Sequence, residues 1–203
     1  DEEGNYKDLP EYPSFFGDGY NPVGLANYAD NKLTTDRYFG KVFGVLDLGD
    51  HLTLTTNFGF DSESGLRRRF DRNWGSNDRI NNPNRLLVAN TSAVTWTNNN
   101  VLQFKKSFGL HDFNALLGTE AIKSQGYFSN QTGRDFPDQD PNLTYLGNGQ
   151  GTAAVSEGRY AYTLLSFFGK VDYDFDSRYQ LSGSFRRDGS SRFASENKWG
   201  TFY

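Results

Sequence analysis

Five side chains of this 203-residue chain have the chemistry to hold a ligand: Trp74, Tyr127, Phe128, Arg134 and Tyr145. They fall in two stretches rich in Asn, Asp, Gly, Pro and Arg. Exposed rings and a guanidinium suit contact with a sugar or a peptide, because a ring stacks at little entropic cost. Packing of one loop on another uses the same residues and is the commoner fate of loop aromatics.

A second constellation is Arg187-Asp188-Gly189-Ser190-Ser191-Arg192-Phe193. Gly189 permits positive φ, and Asp188 and Ser190 can cap a turn through their side chains. Arg187 and Arg192 would then pair with Asp188 or with a neighbouring strand. Turn chemistry accounts for every residue. The run therefore reads first as a rim element and second as a contact for a partner or substrate.

Other candidates dissolve on inspection. Asp138, Asp140 and Asn142 open like a calcium loop, but Leu143 stands where such a loop needs Gly and Gly149 where it needs Glu. Gly147-Asn148-Gly149-Gln150-Gly151 follows no strand-to-helix unit and lacks dinucleotide spacing. His51 and His111 have no third imidazole and no motif-spaced partner. Arg67-Arg68-Arg69 suits phosphates or an acidic ligand, yet Asp61, Glu63 and Asp71 offset it, and a solvated patch is the default. There is no Cys, and no Ser-His-Asp or paired-carboxylate spacing is legible, so no enzyme, metal or cofactor is expected.

Composition narrows the class further. A net charge of −4 argues against nucleic acid, which calls for a basic face. No run of about 18 apolar residues exists, so no transmembrane helix is expected. A membrane barrel stays open, because its strands alternate and lower the mean hydropathy. The chain opens Asp-Glu-Glu-Gly with no signal peptide, and is expected to be a mature segment or a piece of something larger.

The elements that must position these residues are strands. Leu52, Leu54, Thr56, Phe58 and Phe60 fall on one face, opposite Thr53, Thr55, Asn57, Gly59 and Asp61. Leu165, Phe167, Gly169, Val171, Tyr173 and Phe175 oppose Ser166, Lys170, Asp172 and Asp174. Tyr179, Leu181, Gly183 and Phe185 oppose Gln180, Ser182, Ser184 and Arg186. Weaker alternation covers Tyr38–Leu48, Val94–Lys105 and Phe113–Lys123, with Asn98 and Asn100 interrupting an apolar face where a bulge or loop would fit. Six strands result, with a seventh beginning around Lys198–Tyr203.

The connections are unequal. Short turns fall at Gly49-Asp50, Lys106–Gly109 and Asp174–Ser177, while long loops span about 62–87 and 124–158. Short turns at one end and long loops at the other is the layout of an outer-membrane barrel. About 11 residues at about 3.3 Å each, tilted about 40°, rise roughly 28 Å and match an apolar band of about 25 Å. Phe113, Tyr173, Phe175 and Tyr179 then fall where a periplasmic aromatic girdle would lie. The alternative is a soluble extracellular β-sandwich ligand-binding module, whose alternation would look the same.

Specific motifs favour the barrel. Tyr160–Tyr203, with Arg187–Phe193 and then Lys198-Trp199-Gly200, resembles the SusC/RagA family of TonB-linked outer-membrane transporters. So do Phe104–Gly109 with His111, the run Leu116–Glu120, and Tyr20-Asn21-Pro22-Val23. The resemblance implies an antiparallel transmembrane β-barrel of roughly 22 strands with a plug in its lumen. This chain would supply about six or seven of those strands across 1–203, with neither plug nor TonB-meeting segment. It also implies a bacterial outer-membrane location in the lipid bilayer and import of oligosaccharides or peptides. The implied partners are a SusD-like surface lipoprotein lid and the TonB complex. Leu165, Phe167, Val171, Leu181 and Phe185 would face lipid, and Gln180, Ser182, Ser184 and Arg186 the lumen.

Overall fold

Period-two alternation of apolar and polar side chains can satisfy itself only in a pleated strand with two unlike faces. The computed structural model describes residues 22–76 and 79–203. Within them lie helix α1 (Pro22–Tyr28) and strands β1 (Ala29–Asp47), β2 (Leu52–Asp71), β3 (Trp74–Ser76) and β4 (Arg79–Asn81). Strands β5 (Arg85–Phe108), β6 (His111–Arg134), β7 (Ala154–Phe175), β8 (Tyr179–Ser190) and β9 (Trp199–Phe202) follow. Pro22 opens α1, where a missing N–H costs nothing. Tyr20 and Asn21 of the block quoted above lie outside the described residues.

Seven strands form one sheet in the order β1-β2-β5-β6-β7-β8-β9, and β3 pairs with β4 in a small hairpin of its own. The register keeps the faces apart. Val171 sits opposite Gly183, Tyr173 opposite Leu181, Asp172 opposite Ser182 and Lys170 opposite Ser184. Like thus meets like across β7 and β8, and no one-residue slip has mixed them.

Three tight turns close hairpins. Gly49 (φ +93°) and Gly109 (φ +61°) take left-handed backbone conformations that a side chain would strain. Asp176 and Ser177 are both at positive φ, and the Arg178 N–H donates to the Phe175 carbonyl at 3.0 Å. That is the type I′ geometry, whose twist matches the strands it joins.

The long connections are shorter than the sequence suggests. They run over 72–84 and 135–153, not 62–87 and 124–158, because β2, β5, β6 and β7 continue well past their apolar stretches. Polar residues there mark a wet face, and the ladder hydrogen bonds persist regardless. Asn98 and Asn100 make neither loop nor bulge that ends the strand: β5 runs unbroken through both.

The chain divides into two compact units. One comprises the described residues up to Asp36, Ser64–Ser92 and Tyr127–Gly158. Its core is Phe70, Leu86 and Phe136, flanked by Val88 and Leu146, with Phe70 and Phe136 edge to face at 5.8 Å. The Asn84 side chain donates to the Phe136 carbonyl at 3.0 Å and accepts its N–H at 2.6 Å. A buried amide here does the work of a missing strand neighbour. Arg68 donates to the Thr144 carbonyl and Arg72 to the Gln139 carbonyl, tying 135–153 down.

The other unit comprises Arg37–Glu63, Ala93–Gly126 and Arg159–Tyr203. It has an apolar and a polar face and little interior. Leu181 is 71% exposed and Val171 43%. Among the described residues no second sheet covers these side chains, which a sandwich would require.

Candidate functional site

The polar face of the second unit carries paired charges held by neighbouring strands. Arg186 on β8 donates to Asp188 at 2.7 Å, to Glu120 on β6 at 3.2 Å and to Ser166 on β7 at 3.0 Å. Its guanidinium also lies 5.6 Å from the Phe168 ring centre. Phe168 finds room because Gly118 is bare; a Cβ there would come within 2.2 Å of the ring. Arg37 on β1 likewise holds Asp61 on β2 through two hydrogen bonds, with Glu63 at 4.0 Å. Further along, Lys170 and Ser182 share Asp172, at 2.9 and 2.6 Å. A shallow concavity of about 410 Å³ opens there, lined by Lys105, Asp112, Asn114, Asp174 and Gln180 among others. The face thus offers donors, acceptors and both signs of charge to whatever lies against it.

The apolar face carries Leu54, Phe58, Phe60 and Trp96, with Phe58 stacked on Trp96 at 5.5 Å. In its midst stands a polar ladder. Thr56 donates to Asn100 at 2.7 Å, and Asn100 donates to Asn98 at 2.8 Å. Near the hairpin turns the same face is aromatic. His111 stacks with Phe108 and Tyr173, and its Nδ1 lies 2.6 Å from the Tyr173 hydroxyl. Phe175 is 5.0 Å from the same imidazole, and Phe113 meets Phe104.

The Arg187–Phe193 run departs from its expected form. Gly189 is not a turn residue with positive φ; it lies within β8, opposite Trp199. A Cβ at Gly189 would stand 2.8 Å from the indole, so the glycine makes room for a ring laid across the strand. Asp188 pairs with neither Arg187 nor Arg192, because alternation turns Arg186 to its side. Arg187 lies over Trp199 at 5.3 Å and Arg192 over Tyr162 at 3.8 Å. The turn comes later, where Ser190 accepts the Arg192 N–H and Ser191 accepts the Thr163 N–H. Phe193 is exposed.

The five loop candidates are not gathered into one cluster. Trp74 packs beside Tyr28, Tyr127 donates to Glu157 at 2.9 Å, and Phe128 lies across Gly158. Tyr127 and Phe128 are consecutive in β6 and so point to opposite faces. Arg134 ends β6, and its carbonyl receives the Gly151 N–H, while Tyr145 is largely exposed. Asp138 and Asp140 accept the N–H groups of Asp140 and Asn142, which is turn chemistry. The Arg67–Arg69 triplet is dispersed onto Asn31, the Thr144 carbonyl and Asp71. Sequence reasoning placed Glu120 and Arg186 on the wet side but not together; 66 residues separate them, and only the pairing of three strands joins them.

No protein-family model matches the chain. Individual proteins do. The TonB-dependent receptor P3 of Formosa agariphila is 28% identical over 194 residues, 90% of this chain and 18% of that protein. The TonB-dependent receptor SusC of Bacteroides thetaiotaomicron is 36% identical over 103 residues, half of this chain and 10% of SusC. The structure of the RagAB peptide transporter overlays with a TM-score of 0.84 at 21% identity, over 98% of this chain and 22% of that one.

The chain is similar to TonB-dependent receptors, SusC among them, and its fold matches a segment of the RagAB transporter. It spans about a fifth of the length of the relatives it matches along most of its own length. Among the described residues its seven-stranded sheet is open, with β1 and β9 not paired to each other. The tandem Arg186-Arg187 divides between the faces of the sheet: Arg186 reaches Glu120 and Ser166 on one, and Arg187 lies over Trp199 on the other.

Proposed function

We propose that the chain forms part of the wall of a TonB-dependent importer in the bacterial outer membrane. The carrying observation is the two-faced sheet: exposed Leu165, Val171, Leu181 and Phe185 on one side, and hydrogen-bonded charge on the other. The first side meets hydrocarbon and the second a wet lumen. The cargo is an oligosaccharide or a peptide; likeness to a peptide transporter's fold lends support to the latter. The partners are a SusD-like surface lipoprotein, acting as a lid, and the TonB complex. The short turns face the periplasm, and 72–84 and 135–153 face outward. Trp74, Tyr127, Phe128, Arg134 and Tyr145 serve mainly to pack those outer segments, and Arg187–Phe193 is a rim element. No catalytic step is assigned.

The test uses the full-length protein in its own membrane. Uptake of labelled oligosaccharide or peptide should depend on this gene and on TonB, and the protein should co-purify with a surface lipoprotein. Uptake that persists without TonB would overturn the reading.

A further inference from the structure

Two consecutive arginines on β8 meet opposite fates. Arg186 is neutralised on the polar face by Asp188 and Glu120. Arg187 points to the apolar face, and among the described residues it has no such carboxylate; its guanidinium lies over the Trp199 indole at 5.3 Å. That indole is itself held flat. It stacks on Phe167 at 6.1 Å and lies across the bare backbone of Gly189. The pair is therefore a fixed cationic platform on an apolar surface.

Its depth follows from the register. Phe175 opposes Tyr179 in the aromatic group beside the hairpin turn, and Phe167 opposes Arg187 eight residues along β7. At about 3.3 Å per residue and a tilt of about 40°, that is roughly 20 Å of rise. The apolar band of an outer-membrane barrel is about 25 Å tall with aromatic girdles at both boundaries. If the turn-side aromatics mark one boundary, Arg187 and Trp199 stand at the other. A cation there meets the phosphates of the outer leaflet, and a charge at the hydrocarbon edge is stable when an anion is at hand.

We propose that Arg187 and Trp199 form a seat for the phosphate of a lipid headgroup in the outer leaflet, an inference that rests on reading this sheet as a membrane wall. Arg187 supplies the fork of donors, the indole fixes its direction, and Phe167 and Phe185 lie where the acyl chains begin. The full-length protein in detergent, titrated with lipid A and with its dephosphorylated form and followed by native mass spectrometry, tests this. The parent should bind the phosphorylated lipid at least about 5-fold more tightly. Arg187→Gln should abolish that preference and Arg187→Lys should keep part of it. Millimolar inorganic phosphate should not displace the lipid. Equal binding of both lipids by the parent, an undiminished preference in Arg187→Gln, or displacement by free phosphate would each overturn the seat. Heat-modifiable migration on gels, run on every sample, reports the folded barrel separately. Its loss in the parent would sink the membrane-wall reading itself, whereas its retention with no phosphate preference would sink only the seat.

Discussion

Asn84 is buried and answers both backbone groups of Phe136, so its removal strands a donor and an acceptor away from water. Each stranded group costs about 1–3 kcal/mol. Asn84→Ala should therefore loosen 135–153 before anything else, seen as faster hydrogen exchange at the Asp135 and Phe136 amides and earlier proteolysis of that segment. Depth sets the second expectation. Val171 opposes Gly183, about midway between the turn-side aromatics and Trp199, while Phe167 lies beside Trp199. In lipid vesicles Val171→Arg should cost about 2–4 kcal/mol, and Phe167→Arg nearer to about 0–1, because the penalty fades toward the interface. Urea titration of the two full-length variants compares them directly. Equal costs would place both at one depth.

At the scale of elements, the ladder of Thr56, Asn98 and Asn100 crosses β2 and β5 on the apolar face. Replacing Asn100 by Leu leaves the Thr56 hydroxyl and the Asn98 oxygen without their partner, at about 1–3 kcal/mol for each stranded group. Adding Asn98→Leu should return part of that loss, since removing both partners costs less than removing one. Thermal unfolding of the single and double variants, followed by gel migration, reads the difference. These asparagines also show where the sequence misleads. Two amides on an apolar face look like an interruption, yet they satisfy one another and the strand runs on. The same error widened the loops: Ser62, Glu63 and Arg67–Arg69 read as loop by polarity, but all of them lie within β2. Pairing that is local survives such errors. The alternation of Leu165–Phe175 and Tyr179–Phe185 predicts the β7–β8 hairpin and both its faces, because a turn fixes the register. The Glu120–Arg186 pair and the ring of Phe168 over Gly118 were illegible, since they depend on strands brought together across many residues. Gly189 was misread for a related reason: a glycine that makes room for a ring looks, in sequence, like one that makes a turn.

At the scale of the molecule, the segment exposes apolar side chains along several strands and, among the described residues, leaves β1 and β9 each with one unpaired flank. Such edges recruit other strands. The isolated 203-residue chain should aggregate in plain buffer and stay dispersed only with detergent or lipid, as light scattering after size exclusion would show. A monodisperse chain in buffer alone would mean that its faces are covered in some other way. The order β1-β2-β5-β6-β7-β8-β9 sets each long strand beside the next long strand in the chain. A gene encoding such a wall can gain or lose a strand pair by one local duplication or deletion, and every other neighbour relation survives. The width of such a sheet is in that sense an evolvable quantity, adjustable in steps of two without redrawing the rest of the protein.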